Sequence, residues 1–394
     1  MKISSIRQLK NLKNKIVFLR VDFNVAMQKG KIEDDSKIRL SLETINYLLE
    51  KKVKLIIATH LGEPKGKPEK DLSTKPLAVR LQKLLKKPVK FLPLTVGQDV
   101  SQAVKKLEVG GIVLLENLRF NQGELNNNLV FAKQLAGLAD IYVNDAFAVS
   151  HRDQASLSAI KKYLPSYAGL LLEKEVRALN KILKPKKPLV VIMGGAKISN
   201  YSKGPIISQL YSPASHILLG GALANNFFKY QKLEIGRSLF DKESLVYIKN
   251  LYKGKKLAEK IILPCDVVVK TKTGQARVRR PQVVEKTDTI LDIGPATIAL
   301  YAQYIKTAKT LIWNGPLGKF EESSFKHGTL AVARLVAAHA GGPAYGVVGG
   351  GETIEALKLT KMTEYVDWVS TAGGAMLTYL GGGKMPGLKG IIKN

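Results

Sequence analysis

Cysteine is almost absent from this chain of 394 residues, which contains one, Cys265. A single cysteine cannot form a disulfide within the chain, so a disulfide-stapled secreted scaffold is excluded and a reducing compartment is expected. We interpret Cys265 as a small packed residue near a strand rather than as a nucleophile, because free cysteine commonly serves as a small hydrophobe.

Long apolar runs are missing as well. No stretch approaches the ~20 consecutive apolar residues that a membrane-spanning helix needs. The first residues, MKISSIRQLKNLKNKIVF, lack the apolar segment and the cleavage site of a secretory signal. We therefore expect a cytoplasmic protein that has no membrane partner.

Acidic residues are scarce, with 32 Asp and Glu against 62 Lys and Arg, which gives a formal net charge of +30. The excess is spread over both halves of the chain, so the basic tail or arm of many nucleic-acid-binding proteins is absent. A diffuse positive field attracts anions such as phosphorylated metabolites or RNA. We interpret the excess as a lysine-rich solvated surface and do not expect a nucleic-acid partner.

Several common catalytic motifs are also absent. The chain contains no GxxxxGK[ST] and no GxGxxG pattern, which disfavours two widespread nucleotide-binding folds. It contains no GxSxG elbow, no HExxH and no Cys/His metal spacing, so no hydrolase arrangement stands out.

What the sequence does contain is an alternation of short apolar runs with longer amphipathic stretches. The runs include KIVFLRV, VKLIIATH, GIVLLEN, DIYVNDA, PLVVIMGG, HILLGGA, TLIWNG, AYGVVGGG and YVDWVST. Helical periodicity is clearest over 38–49 and 325–336. This pattern predicts an α/β protein with two doubly wound, Rossmann-like parallel sheets covered by helices.

The same pattern predicts the domain boundaries. We expect a first domain over 1–166, a connecting hinge helix over 167–184 that the Pro-Lys-Lys-Pro turn ends, a second domain over 185–380, and a tail over 381–394.

Polar residues and glycines cluster where the predicted strands end. Ligands of parallel sheets bind outside the carboxyl ends of the strands, so these positions predict the site. The first half places cations and amides there and the second half places glycines, whose backbone N–H groups can approach phosphates closely. We therefore expect a small anionic substrate in the first domain, a nucleotide in the second, and phosphoryl transfer between them in an interdomain cleft.

Ten ordered segments resemble the phosphoglycerate kinase family over almost the whole chain: RVDFNV (20–25), THLGEPKGK (59–67), LLENLRF (114–120), YVNDAFAVSHR (142–152), GGAK (194–197), EIGRSLF (234–240), DIGP (292–295), WNGPLGKFE (313–321), VGGGET (348–353) and STAGGA (370–375). The resemblance implies reversible, Mg²⁺-dependent phosphoryl transfer between 1,3-bisphosphoglycerate with ADP and 3-phosphoglycerate with ATP, as in glycolysis and gluconeogenesis. It also implies a monomer whose domains close about the connecting helix, with a tail that returns to the first domain.

The resemblance also implies site residues. Asp22 and Asn24 would hold the hydroxyl and carboxyl end of the glycerate, and cationic groups would bind its anionic ends. The implied substrate-binding residues are Asp22, Phe23, Asn24, Lys37, His60, Leu61, Gly62, Glu63, Arg119 and Arg152. Asp145 and Glu116 are assigned to domain structure instead.

For the nucleotide, the implied residues are Gly195, Lys197, Lys203, Gly220, Gly221, Asn314, Pro316, Gly318, Glu321, Gly350, Gly351, Glu352 and Thr353, with Glu352 as the metal ligand. The implied catalytic groups are Lys37, Lys197, Lys203, Gly351 and Gly373.

The chain departs from the family pattern inside the site. Lys37 stands where the family has an essential arginine, which keeps the charge but loses the bidentate fork. Glu63 places a carboxylate where a phosphate-binding arginine is expected, and Glu352 replaces the metal-binding aspartate. The family's second lysine aligns with Tyr201, or with Lys203 after a two-residue insertion.

These departures leave three readings open. The first is a working kinase, which the retained charge favours. The second is a catalytically impaired homologue that still binds nucleotides or other anions. The third, which the net charge of +30 suggests, is binding of RNA or other anions through the basic surface, and RNA binding would weaken steeply with salt.

Overall fold

The computed structural model describes residues 2–28, 30–195, 204–252 and 258–393, and the side chains of 204–206 and 258 are left out of the description. The chain divides into two compact units, Met1–Val176 with Lys384–Asn394, and Arg177–Gly383. Within the described ranges no helix combines the length and apolar character that crossing a bilayer requires.

The first unit is built on a six-stranded parallel sheet. Its strands lie in the order Lys90–Leu92, Ile112–Leu115, Lys54–Ala58, Ile16–Arg20, Ile141–Asn144 and Ser166–Ala168. The four strands Ile16–Arg20, Lys54–Ala58, Ile112–Leu115 and Ile141–Asn144 are almost wholly buried. Continuous apolar strands of this kind are typical of parallel sheets with both faces covered.

Helices connect the strands of that sheet, and the last of them, Leu170–Leu183, follows its final strand. Their bounds are Ser36–Leu40, Leu42–Glu50, Lys75–Leu85, Gln98–Lys105, Gln122–Leu125, Leu129–Ala136 and Leu170–Leu183. The predicted helix over 38–49 is in fact two helices, because the chain turns at Ser41 between them.

The second unit repeats this plan. Its parallel strands lie in the order Ile261–Ile262, His216–Leu219, Leu189–Met193, Thr310–Asn314, Tyr345–Gly349 and Trp368–Ser370. Numbered along the unit this order is 3-2-1-4-5-6, the doubly wound order whose ligand crevice lies between strands 1 and 4. The helices are Gly204–Tyr211, Gly221–Tyr230, Lys242–Tyr252, Pro295–Thr307, His327–Ala340, Gly351–Leu359 and Gly373–Leu380.

Three smaller sheets complete the described structure. Ala276–Arg279, Val267–Lys270 and Thr289–Ile293 form an antiparallel sheet in the second unit. Met27–Gln28 pairs with Lys31–Ile32, and Lys2–Ile3 pairs with Ile392–Lys393 near the tail. The tail is held further by Asn144, whose Nδ2 donates to the Gly387 carbonyl at 3.0 Å.

Two sequence predictions need correction. The connecting helix begins at Leu170 and not at 167, because Ser166–Ala168 pairs with Ile141–Asn144 as the last strand of the first sheet. Cys265 is exposed and not packed, since it lies in the loop before Val267–Lys270. The fold class of two doubly wound parallel sheets is the one predicted.

Candidate active site

In the first unit, the loop after the strand Ile16–Arg20 carries the predicted carboxylate. Asp22 is 9% exposed, and its Oδ2 accepts from the Lys37 ammonium at 2.9 Å. The Asn24 amide oxygen accepts from the Gly62 backbone N–H at 2.9 Å, which joins this loop to the one after Lys54–Ala58. Phe23 is fully buried and its N–H donates to Thr59 Oγ1, so its side chain belongs to the core.

His60 lies in the same group of residues but is only 1% exposed. Its Nδ1 is 3.3 Å from Nη2 of Arg20 and 3.9 Å from Oδ1 of Asp22. Burial and the nearby charges of Arg20 and Arg119 hold the pKa of His60 well below its usual range. Because a guanidinium can only donate, Nδ1 accepts from Arg20 and the neutral ring presents Nε2–H. His60 therefore offers an anion a neutral N–H donor and not a positive charge.

Arg20 itself is a residue that the predicted site omitted. It is fully buried and its Nε donates to Ser156 Oγ at 2.9 Å. Ser156 in turn donates to both oxygens of buried Glu124, at 2.6 and 2.8 Å. The position of Arg20 at a strand end, two residues before Asp22, was the available signal.

Arg119 lies beside the Gly62 loop and is paired with the unexpected carboxylate. Its Nη1 donates to the Gly62 carbonyl at 2.9 Å and to Oε1 of Glu63 at 2.7 Å. The Arg119 side chain is 3% exposed and that of Glu63 is 68% exposed. Burial lowers the pKa of the Arg119 guanidinium and the Glu63 charge raises it, and an arginine stays charged in either case.

Of the remaining residues predicted in the first unit, one lies on the surface and one lies in the core. Arg152 is exposed, and its charge contributes to the lowered pKa values of His60 and Arg119. Leu61 is buried, and its carbonyl accepts from Asn117.

Glu116 and Asp145 organise the domain. Glu116 accepts from the Thr74 N–H at 2.8 Å, at the start of the helix Lys75–Leu85. Asp145 Oδ1 accepts from the N–H groups of Leu171 and Leu172 in the first turn of Leu170–Leu183. Burial raises the pKa of Asp145 to about 6.

In the second unit, backbone hydrogen bonds join the glycine turns at the crevice between strands 1 and 4. Gly195 N–H donates to the Pro316 carbonyl at 2.7 Å, and Gly221 N–H donates to the Leu317 carbonyl at 2.9 Å. A Cβ at Gly194 would lie 2.0 Å from the Pro316 oxygen, so only glycine fits this approach.

A cavity of ≈ 230 Å³ opens beside these turns. Its lining includes six predicted nucleotide residues, namely Gly195, Gly221, Pro316, Gly318, Glu321 and Glu352. It also includes residues that sequence reasoning missed, among them Asn225, Leu239 and Asp292. Asp292 belongs to the DIGP segment and Leu239 to the EIGRSLF segment, which could have indicated them, whereas nothing in the sequence singled out Asn225.

Other predicted nucleotide-binding residues make hydrogen bonds at the turns after the strands Thr310–Asn314 and Tyr345–Gly349. Asn314 Nδ2 donates to the Gly349 carbonyl at 2.8 Å, and Thr353 Oγ1 accepts from Gly315 N–H at 2.7 Å. Gly350 has φ +97°, where the left-handed backbone favours glycine. Gly220, Gly351 and Gly373 lie at the N-terminal ends of three helices, where the helix dipole favours anions. Lys197, Lys203 and Tyr201 fall outside the described residues.

One predicted residue, Glu352, can serve as a ligand of a magnesium ion. Glu352 is exposed in the first turn of Gly351–Leu359 and lines the cavity. The described part of the chain contains no cluster of three or more His, Cys, Asp or Glu able to hold a metal alone. Mg²⁺ usually binds one or two carboxylates together with substrate phosphates, and a single hard oxygen ligand meets that requirement.

Comparison with known proteins gives a consistent result. The family model described as phosphoglycerate kinase matches residues 6–383. Phosphoglycerate kinases from Wolbachia sp. subsp. Drosophila simulans (strain wRi) and Pseudothermotoga lettingae are each 42% identical to the chain, over 100% and 97% of its length and 99% and 96% of theirs. The structure of phosphoglycerate kinase from Coxiella burnetii superposes with a TM-score of 0.88 at 40% identity, covering 99% of both chains. That from Pyrococcus horikoshii OT3 gives 0.83 at 31% identity, covering 99% of this chain and 98% of that one. The chain belongs to the phosphoglycerate kinase family.

Proposed function

We propose that this chain transfers the acyl phosphoryl group of 1,3-bisphosphoglycerate to ADP, which yields 3-phosphoglycerate and ATP. In the reverse direction the acceptor is the carboxyl group of 3-phosphoglycerate. Family membership supports the kinase activity and both substrates. The observation that carries the nucleotide assignment is the cavity at the crevice of the second sheet, which gathers six predicted residues.

Phosphoryl transfer depends on positioning and on neutralising charge, and it needs no protein nucleophile. On the glycerate side, Asp22 and Asn24 would orient the hydroxyl and carboxyl groups. The ammonium of Lys37, 2.9 Å from Asp22, would approach the charge that develops on the transferring group. His60 would donate its Nε2–H, and Arg119 and Arg152 would bind the remaining anionic oxygens.

On the nucleotide side, Glu321 would bind the ribose and the turn at 349–351 would present N–H groups to the phosphates. Lys197 and Lys203 would add positive charge, and the backbone N–H groups of Gly373 and Gly374 would donate hydrogen bonds to the phosphoryl group during its transfer. Glu352 would hold Mg²⁺, which when bound neutralises phosphate charge. We also propose that the protein works as a monomer in the cytoplasm, which light scattering and cell fractionation would test.

A coupled assay of ATP-dependent phosphorylation of 3-phosphoglycerate, with Mg²⁺, tests the proposal. Turnover that disappears in Lys197→Ala supports it. Bound ATP without turnover would instead favour the catalytically impaired homologue. That alternative is motivated by Lys37, Glu63, Tyr201 and Glu352 together, and the Glu63 carboxylate pairs with Arg119 at 2.7 Å.

A further inference from the structure

Glu124 and Ser156 form a buried pair behind the glycerate side of the candidate site. Glu124 lies in the helix Gln122–Leu125, and both residues are fully buried. The Ser156 hydroxyl donates to Glu124 Oε1 at 2.6 Å, and the Ser156 backbone N–H donates to Oε2 at 2.8 Å. Because a buried carboxylate is costly unless a positive charge compensates it, the pair needs a cation, which Arg20 provides.

Arg20 is fully buried, and its nitrogen atoms have different partners. Nε donates to Ser156 Oγ at 2.9 Å, and Nη1 donates to the Val21 carbonyl. Nη2 lies 3.3 Å from Nδ1 of His60. Burial lowers the pKa of Arg20 and the negative charge of Glu124 raises it, and the guanidinium stays charged. Contacts on three sides of a planar group determine where Nη2 points.

The chemistry of these groups sets the direction of each hydrogen bond. A guanidinium can only donate, and an ionised carboxylate can only accept. The Ser156 hydroxyl therefore gives its one proton to Glu124 and accepts from Arg20. By the same rule Arg20 donates to Nδ1 of His60, which leaves the proton of the neutral ring on Nε2.

Nδ1 of His60 has a second neighbour that favours the opposite position of the proton. Oδ1 of Asp22 lies 3.9 Å away, and a carboxylate would accept from a protonated Nδ1. If Arg20 moved away, a small shift would bring Nδ1–H to Asp22 and leave Nε2 without a proton. A bare Nε2 presents a lone pair, which would repel an anionic substrate. The tautomer of His60 therefore depends on how firmly Arg20 is held.

Building on the glycerate-binding role proposed above for His60, we propose that Glu124 and Ser156 are positioning residues for that histidine. They hold Arg20 against Nδ1 and so keep His60 in the tautomer whose Nε2–H can donate to the substrate. Both act through Arg20 and from full burial, so neither touches the substrate itself.

NMR on the full chain with ¹⁵N-labelled histidine reads the tautomer at neutral pH, without substrate. The sequence contains five histidines, so the loss of one signal in His60→Gln assigns His60. We expect a proton on Nε2 and a bare Nδ1 in the wild type. In Ser156→Ala, which removes one oxygen atom, the nitrogen shifts should move toward those of a protonated Nδ1. Glu124→Gln gives a second variant with the same expectation if Ser156→Ala fails to fold.

Calorimetry with 3-phosphoglycerate measures the consequence for binding and needs no turnover. Losing a hydrogen bond to a charged group should weaken binding about tenfold in Ser156→Ala. Ser5→Ala is the matched control, because the Ser5 hydroxyl donates at 2.6 Å to Glu173, and the two residues are 4% and 6% exposed. Ser5→Ala should lower the melting temperature as Ser156→Ala does, yet it should leave the His60 shifts and the affinity unchanged.

A proton on Nδ1 of His60 in the wild type would overturn the assignment. So would His60 shifts that stay at their wild-type values in folded Ser156→Ala and Glu124→Gln. If the shifts move but the affinity stays within about twofold, the positioning of His60 stands and its proposed contact with the substrate fails. If shifts and affinity both change but the chain shows no turnover, the positioning stands and the proposed kinase reaction fails.

Discussion

Replacing Glu63 by glutamine should strengthen the binding of 3-phosphoglycerate. The Glu63 carboxylate is 2.7 Å from the Arg119 guanidinium, which is only 3% exposed and which the proposed function assigns to an anionic end of the substrate. Substrate must therefore compete with Glu63 for this cation and must bind close to a like charge. Glutamine keeps the size of the side chain and removes the charge.

The solvent exposure of the Glu63–Arg119 pair determines how large the change in KM should be. Because Glu63 is 68% exposed, solvent screens its charge, and such pairs contribute about 0.2–1 kcal/mol. Releasing Arg119 from this competition should lower KM for 3-phosphoglycerate by about two- to fivefold. The change concerns substrate binding, so kcat should stay within about twofold of the wild type. The difference should shrink as salt is raised, since screening weakens exposed charges first.

Steady-state kinetics at low and high ionic strength measure both effects. Glu285→Gln is the matched control, because Glu285 is 59% exposed and lies 2.6 Å from Arg279 in the second unit, in a pair outside the proposed site. It should leave KM unchanged. A KM that stays constant or rises in Glu63→Gln would refute the competition and would mean that Glu63 instead holds Arg119 in place.

Three further predictions concern other parts of the site. Lys37→Ala should lower kcat by about 100-fold or more, the usual effect of removing a group that stabilises developing charge, whereas Lys37→Arg should turn over at least as fast as the wild type. Steady-state kinetics would contradict this role if Lys37→Ala stayed active. Gly373→Ala should keep or raise thermal stability, because a Cβ at this position would meet no atom within 4 Å. The same variant should reduce turnover, because the added methyl group would fill the space assigned to the phosphoryl group. A destabilised but fully active variant would refute that assignment. Burial raises the pKa of the Asp292 carboxyl from 3.8 to about 7. Between these two pH values, the carboxyl therefore takes up a proton when the chain folds. As pH rises through this window, the contribution of Asp292 to the free energy of unfolding falls by up to roughly 4 kcal/mol. Asp292→Asn should remove this fall in urea unfolding measured from pH 5 to 8, and an unchanged pH dependence would show that Asp292 does not cause it.

The sheets and the location of the candidate site could be predicted from the sequence. Runs such as PLVVIMGG are apolar throughout and end in glycine, which indicates a buried parallel strand followed by a tight turn. Because the carboxyl ends of parallel strands meet at one edge, the polar residues after each run had to gather there. The predicted fold class, family and kinase function are confirmed by the strand order and the comparisons.

Other features depend on contacts that no local pattern carries. The strand Ser166–Ala168 is short and only its last residue is buried. Because helix-forming residues follow it, the sequence pattern predicted a helix from 167 instead of this strand. The neutral state of His60 follows from its burial and from the charge of Arg20, which lies 40 positions away in the sequence. The hydrogen bond from Asn225 Nδ2 to the Leu239 carbonyl joins residues that lie 14 positions apart. Apart from the start of the connecting helix, the predicted domain boundaries and the roles of individual site residues stay predictions.

The departures from the family pattern have unequal consequences, which the described geometry makes specific. Lys37 keeps a positive charge 2.9 Å from Asp22, and Glu352 keeps a carboxylate at the cavity, so both retain the charge that phosphoryl transfer requires. Glu63 alone reverses a charge, and it does so on the cation Arg119. A phosphate with nearly two negative charges competes well with one exposed carboxylate, because the pair it must break is screened by solvent. We therefore expect Glu63 to weaken phosphoglycerate binding without abolishing it, which favours an active kinase with a raised KM over an inactive homologue.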